Sequence, residues 1–576
     1  MARSPRDAGS TLTEMLEGLT APMSEDEGAL VRGWLSRPDG TANRALTVGG
    51  ERAATAFTRP RDDDPRAVRT VGVIGGGTAG YLTALALRAK RPWLEVTLVE
   101  SSTVPIIGVG EATVPLMVTF LHHYLGIDPV ELYREVRPTW KLGIKFEWGP
   151  NPGGFMAPFD WAANSVGVLG SLAEQGNIDA FTLQSLFMKA DRTPVFGPDD
   201  APISLMKYLA FAYHLDNERF VRFLTSLARA RGVGHVDAKI AEAVPGGPEW
   251  VDHLLTTDGR RLSFDFYVDC SGFRSLLLGK AMETPFHSYA DSLFTDSAVT
   301  GNTEHGGHLK PYTTATTMDA GWCWTIPTRE SDHHGYVYSS AAMSDEDAAA
   351  ELARRFPGIT PPRQVRFRVG RHDLAWRGNT MAIGNSYGFV EPLESSGLLM
   401  ITQGILALVT SLPASWSDPV GRDVVNAVLG KKWDEIRWFL SVHYRFNTRL
   451  DTPFWREARS RTDVSGLRPL LDVYAAGAPL RMRDTLTRRY LELTAPTFYG
   501  LEGIDCVLLG QGVPTRLLPS SEPIERWRAR KAAADVLVAR SLPQREALAL
   551  FDAEPRLHEE LLKDRDSWLT RSAATL

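Results

Sequence analysis

The run TVGVIGGGTAGYLTALALRAK, residues 70–90, constrains this chain more than any other feature. An apolar strand-like stretch leads into three glycines in G-x-G-x-x-G order, Gly75, Gly77 and Gly80, and an apolar helical period follows at once. Gly75 permits the tight turn, Gly77 lets backbone approach a pyrophosphate, and Gly80 allows the helix to pack closely on the strand. The helix start at Thr78 and Ala79 offers free N–H groups and the positive end of the helix dipole to an anion. Glu100 ends the next strand, LEVTLVE, twenty residues after Gly80, where a carboxylate accepts the ribose hydroxyls of a dinucleotide without a 2′-phosphate. The expected fold opening is therefore a parallel α/β unit carrying a nucleotide.

The chain has 576 residues, enough for several structural units. A formal charge of −6 argues against a nucleic-acid binder relying on overall basicity. Three cysteines, Cys270, Cys323 and Cys506, are too few for a disulfide framework and are not spaced as metal ligands, so no metal is expected. The N-terminus lacks an apolar signal core, and no run of 18 apolar residues occurs. The expectation is a cytoplasmic protein with no membrane partner. His122-His123 reads as helix surface, since adjacent positions face differently.

Residues 1–68 read as an N-terminal extension with short amphipathic helices around TLTEMLEGL and EGALVRGWL and a linker, RPRDDDPRAVR. Residues 69–410 form a core in which helices alternate with strands, giving way over 295–345 to β-branched and aromatic segments expected as antiparallel sheet. GLLMITQGILALVTSL reads as a buried helix, too short and polar to span a bilayer. Residues 411–576 are mainly helical. FYVDCSGFRS, with Asp269 and Gly272, and MAIGNSYG, with Gly384 and Asn385, each pair a strand with a small-residue turn, as flavoproteins of the monooxygenase-like fold do around the flavin. With a single dinucleotide motif they favour FAD over NAD, and reduced flavin would arrive from another enzyme.

GWCWTIP, Gly321 to Pro327, is the most specific string in the chain. Here the sequence resembles the flavin-dependent tryptophan halogenases, whose hallmark is G-W-x-W-x-I-P. The resemblance continues through GVGEATVP (108–115), WKLGIKF (140–146), DCSGFRS (269–275), FVEPLESSG (389–397) and DTPFW (451–455), in collinear order over roughly 69 to 515. It implies an FAD-binding Rossmann-like domain with mixed sheet and a mainly helical substrate-binding domain. It also implies an enzyme that uses FADH2 from a separate flavin reductase, O2 and chloride. Ile107, Val109, Ala112 and Leu398 are implied as further flavin contacts. Trp322 and Trp324, two apart on one strand face, would make a partition between flavin and substrate.

Lys141 and Glu394 match the family's chemistry-bearing positions. A lysine walled by Trp140 and Leu142 is desolvated, which lowers its pKa and makes neutral amine accessible near pH 7. It either takes chlorine from hypochlorous acid as a haloamine or donates a hydrogen bond to that acid. Glu394 is implied to hold the halogenating species and to help remove the arenium proton. Glu391 reads as a structural ion pair. Ser396 and Gly397, opening an apolar helix, would offer N–H groups to halide, and Ser395 would tie the loop to the flavin or to Lys141.

Phe498-Tyr499 matches the family's F-W pair at the substrate, and Phe159 matches a second stacking aromatic. The positions that clamp a free amino acid's backbone fall on Thr487, Arg488 and Thr494, so the clamp is missing unless a gap brings in Tyr490 and Glu492. Ala157 stands where a histidine often lies. An unclamped zwitterion costs affinity. The expected substrate is thus an indole without a free amino-acid backbone, a tryptophan within a peptide of the lanthipeptide kind. Free L-tryptophan, an FAD hydroxylase and a non-catalytic flavin scaffold stay open as rival readings, as do oligomeric state (a homodimer included) and regiochemistry.

Overall fold

The computed structural model describes residues 59–561, apart from 60, 62, 105–109, 162–164, 198–202, 207–208, 248, 417–419, 556 and 559–560. The helices expected around TLTEMLEGL and EGALVRGWL lie outside the described residues. Residues Thr58–Lys563 form one compact unit.

The opening run folds as read. β1 (Thr70–Ile74) enters the glycine turn, and α1 (Thr78–Lys90) leaves it, its first three turns almost wholly buried. The other elements that build the site are β2 (Glu95–Glu100), β3 (Gly110–Ala112), β4 (Thr139–Lys141), β5 (Gly143–Glu147), β6 (Phe155–Pro158), β7 (Ala212–Asp216), α2 (Asn217–Ala230), β8 (Gly234–Asp237) and β9 (Phe266–Asp269). After them come β10 (Ser297–Thr303), β11 (Thr313–Met318), β12 (Gly321–Pro327), β13 (Asp332–Tyr338), β14 (Arg363–Arg366), β15 (Trp376–Arg377) and β16 (Thr380–Ala382). Helices α3 (Ser396–Ser411), α4 (Val420–Phe446), α5 (Thr485–Thr494), α6 (Gly500–Gly510), α7 (Ile524–Arg540) and α8 (Gln544–Ala553) complete the set.

One sheet runs β8-β2-β1-β9-β16-β15, parallel except for the final hairpin strand. Val71 to Ile74 lie opposite both Val96 to Val99 and Phe266 to Asp269. That register brings the carboxyl ends of β1, β2, β9 and β16 to one edge, where an open α/β sheet binds its ligand. A second sheet, β14-β10-β13-β12-β11-β5-β6, is antiparallel except where β11 runs alongside β5. It contains the β-branched and aromatic stretch expected as antiparallel sheet. A three-stranded sheet, β3-β7-β4, joins the two and carries Lys141 opposite Ala212.

The helix expected from GLLMITQGILALVTSL is α3, and it packs against α1 and α4. The span Leu393–Ser411 is long and apolar enough to cross a membrane, but 72% of its apolar window is buried within the fold. Its neighbours are protein.

Two expectations change. The end of the linker is annealed to the fold: Val68 donates from its N–H to the Ala414 carbonyl at 3.1 Å, and Ala67 pairs with Ser415. His122 is not surface. It lies buried, with Nδ1 2.8 Å from the Ile127 carbonyl and Nε2 3.0 Å from the Tyr213 hydroxyl, and burial lowers its pKa to about 4. The chain there makes a π-helical turn, Phe120–Tyr124, which rotates the ring inward from where 3.6-residue spacing would place it.

Candidate active site

At the sheet edge the glycines act as spacers. Gly75 has φ +128°, and a Cβ there would come 2.2 Å from the Cys270 carbonyl oxygen. A Cβ on Gly80 would come 1.8 Å from the Gly75 carbonyl oxygen, so only hydrogen fits between turn and helix. Over Gly77 nothing lies within 4 Å. That open side faces a cavity of about 560 Å³ walled by Gly75, Gly77, Thr78, Ala79, Glu100 and Ala112 at this end. Glu100 Oε1 accepts from the Tyr81 hydroxyl and lies 2.7 Å from His235 Nε2, while Oε2 is directed at Gly76, over the turn. No side chain caps the N-terminus of α1. Bare amides, an open glycine and a carboxylate beyond them suit the pyrophosphate and ribose of FAD.

Asn385 and Leu398 also wall the cavity. Ile107 and Val109 lie outside the described residues. Asp269 is a correction, for its carboxylate does not reach the cavity. Oδ1 accepts from the Ser271 N–H and hydroxyl, and Oδ2 from the N–H groups of Leu277 and Leu278, at 2.6–3.0 Å. It clamps the turn whose Gly272 and Arg274 form the wall in its place.

The cavity continues to Trp322, Trp324 and Glu394. The two indoles stand on β12 with ring centroids 6.0 Å apart, and among the described residues the Trp324 ring N–H has no hydrogen-bond partner. Trp324 lies flat over Gly335 on the neighbouring strand, where a Cβ would overlap its ring.

Lys141 has no accessible surface. Its Nζ donates to the Thr113 carbonyl at 3.0 Å and to Ser395 Oγ at 2.6 Å, and sits 5.2 Å from the centre of the Phe159 ring. Burial pulls its pKa down to about 7, against the opposing pull of Glu394.

Glu394 and Ser395 both have left-handed backbone, φ 63° and 56°. Each such non-glycine residue costs of order 1–3 kcal/mol and persists only where surroundings over-determine it. The turn delivers Ser395 Oγ to Lys141 and the Glu394 carboxylate to the cavity. Glu391 is a second correction: among the described residues no cation lies within ion-pair reach. Its Oε2 accepts from the Thr295 and Tyr444 hydroxyls, and burial raises its pKa to about 7. Of the expected halide pair only Gly397 faces the cavity. Ser396 is buried behind it, with its hydroxyl 3.3 Å from the Glu391 carbonyl.

On the far side of Glu394, Tyr499 stacks on Phe439 with centroids 4.4 Å apart, and Phe498 meets Tyr499 edge-on. The clamp alternatives fail to assemble. Tyr490 is half exposed, and Glu492 pairs with Arg489 on the surface of α5. Sequence reading missed Thr113, Trp148 and His443. Thr113 acts through its backbone carbonyl, and the ring of His443 approaches Glu394 from α4, a helix whose spacing marks a face and not a partner.

A family model described as tryptophan halogenase matches residues 70–524. The chain is 33% identical over 526 residues to the 7-chloro-L-tryptophan 6-halogenase KtzR of Kutzneria sp. (strain 744), covering 85% of this chain and 97% of KtzR. It is 31% identical over 529 residues to the tryptophan 7-halogenase RebH of Lentzea aerocolonigenes, with the same coverage. Among solved structures it is similar to MibH, a lanthipeptide tryptophan 5-halogenase, at 67% identity and TM-score 0.86, covering 88% of this chain and 98% of that one.

Proposed function

The chain belongs to the tryptophan halogenase family, flavin-dependent enzymes that halogenate the indole ring, and on that premise we propose that it chlorinates carbon 5 of a tryptophan held within a peptide. The observation that carries the peptide reading is the missing clamp: no carboxylate or tyrosine of α5 turns toward the site to hold a free ammonium and carboxylate. The 67% identity to a lanthipeptide halogenase supports both the peptide and the position on the ring. Leu486, Tyr490 and Leu493, at i, i+4 and i+7 of α5, form an exposed apolar stripe just ahead of Phe498-Tyr499, a surface suited to peptide flanks.

Gly75, Gly77, Thr78, Ala79 and Glu100 would hold FAD at pyrophosphate and ribose, with Ala112, Asn385 and Leu398 along its length. A separate reductase would supply it reduced. Reduced flavin with O2 supplies the oxidising equivalent: FADH2, O2, chloride and a proton give FAD, water and hypochlorous acid. Gly397, at the start of α3, offers a backbone N–H to chloride. The paired indoles keep the substrate ring away from the flavin, so only a small oxidant passes.

Lys141 takes over at the far side. Its neutral amine attacks chlorine, the N–Cl bond forms, the O–Cl bond breaks, and the displaced hydroxide leaves as water with the amine proton. The substrate ring, beside Phe159 and Tyr499, then takes chlorine from nitrogen. Glu394 accepts the proton lost from the ring carbon and returns it to the lysine nitrogen. The test is chlorination of a tryptophan-containing lanthipeptide and of L-tryptophan with a flavin reductase, FAD and chloride. We expect a chlorine mass shift on the peptide at the residue's 5-position. Preference for L-tryptophan would overturn the substrate reading, and hydroxylation without chloride would overturn the chemistry.

A further inference from the structure

Glu394 is not alone at the end of the cavity. His443, near the end of α4, places its ring in an aromatic box with Phe146, Phe439 and Trp148 at centroid distances of 4.9, 5.6 and 6.1 Å. The indole N–H of Trp148 donates to His443 Nδ1 at 2.8 Å. An indole nitrogen can only donate, so Nδ1 must carry the lone pair and the ring proton must sit on Nε2. Nε2 lies 3.1 Å from Glu394 Oε1, off the hydrogen-bond axis, and neither atom has another partner among the described residues. Such bonds often align only when substrate is bound.

We infer that Trp148 and His443 form a positioning pair for Glu394: the indole fixes the imidazole tautomer, and the imidazole N–H fixes the carboxylate. A proton on Nδ1 instead would set two donors face to face in an apolar box, a burial that costs the lost bond outright. The ring therefore donates from Nε2. A donor on Oε1 leaves Oε2 to accept the proton lost from the substrate ring. The next residue of the helix, Tyr444, holds Glu391, so consecutive residues of α4 face one carboxylate just ahead of the left-handed turn and one within it. Those contacts supply the over-determination the strained backbone needs. The inference rests on the reading of Glu394 as proton acceptor.

The test uses the full chain with FAD, a flavin reductase and whichever substrate the wild type chlorinates. 15N-histidine NMR on the resting enzyme, with His443 assigned by its loss in His443→Gln, is expected to show Nε2 protonated and Nδ1 bare at neutral pH. His443→Phe should lower kcat by at least about 10-fold, with KM and FAD affinity within about 2-fold of wild type. His443→Gln, whose amide can both accept and donate, should recover most of that loss, and Trp148→Phe should change the tautomer without removing the imidazole. An Nδ1-protonated ring, an unchanged kcat in His443→Phe, or a loss that glutamine does not restore would each overturn the inference. Glu394→Gln, run alongside, separates the readings. If it keeps full kcat, the role of Glu394 falls, whereas the tautomer judges the Trp148–His443 pair by itself.

Discussion

Lys141 occupies the last position of β4 with no accessible surface and a pKa pulled to about 7. The amine is mostly ammonium below that pH and mostly neutral above it. If neutral nitrogen takes the chlorine, kcat rises as pH rises through about 7. A falling limb in single-turnover assays would assign Lys141 to hydrogen-bond donation instead. Lys141→Ala should cost about 10²–10⁴-fold in kcat and leave FAD affinity intact. Glu391 gives a stability prediction of its own. Its folded pKa of about 7 stands above the ordinary 4.5, so between those values the folded state binds more protons than the unfolded. Stability therefore falls as pH rises from 4.5 to 7. Glu391→Gln, which can still accept from Thr295 and Tyr444, should flatten that slope in melting curves. The desolvation of Lys141 was legible in its neighbours Trp140 and Leu142. The ties of Asp269 to three backbone N–H groups were not, since a strand-end carboxylate can turn to the ligand or to its own loop, and spacing does not say which.

Among the elements, strand, glycine turn and helix carried their own instructions, because Gly75 and Gly80 answer to contacts with the strand end beside the turn and with the turn itself, and Gly77 to the open space over it. Gly80→Val should abolish FAD binding in fluorescence titrations, as its Cβ would meet the Gly75 carbonyl oxygen. Gly77→Ala should fold, since nothing stands over that position, yet weaken FAD binding by crowding the open side of the turn. The left-handed pair at Glu394-Ser395 was beyond sequence reading. Neither residue is glycine, and their conformation is imposed by partners on β4 and α4 that lie far away in the chain. The inward turn of His122 escaped for a similar reason, a change of helical pitch that no residue pattern announces.

Across the whole molecule, one cavity runs from the glycine turn to the Glu394 carboxylate, with two tryptophans in its wall. The enzyme thus keeps, within reach of its own reagent, two copies of the ring it is built to modify. Distinguishing self from substrate falls to placement alone: Phe159 and Tyr499 stand near Lys141 and Glu394, while the wall indoles stand fixed in the sheet. Run without acceptor, the protein should slowly mark itself, and mass spectrometry of the tryptic peptide bearing Trp322 and Trp324 should find chlorine there. Chlorine found there would make the wall a part that wears, and its erosion would set a finite working life for each molecule.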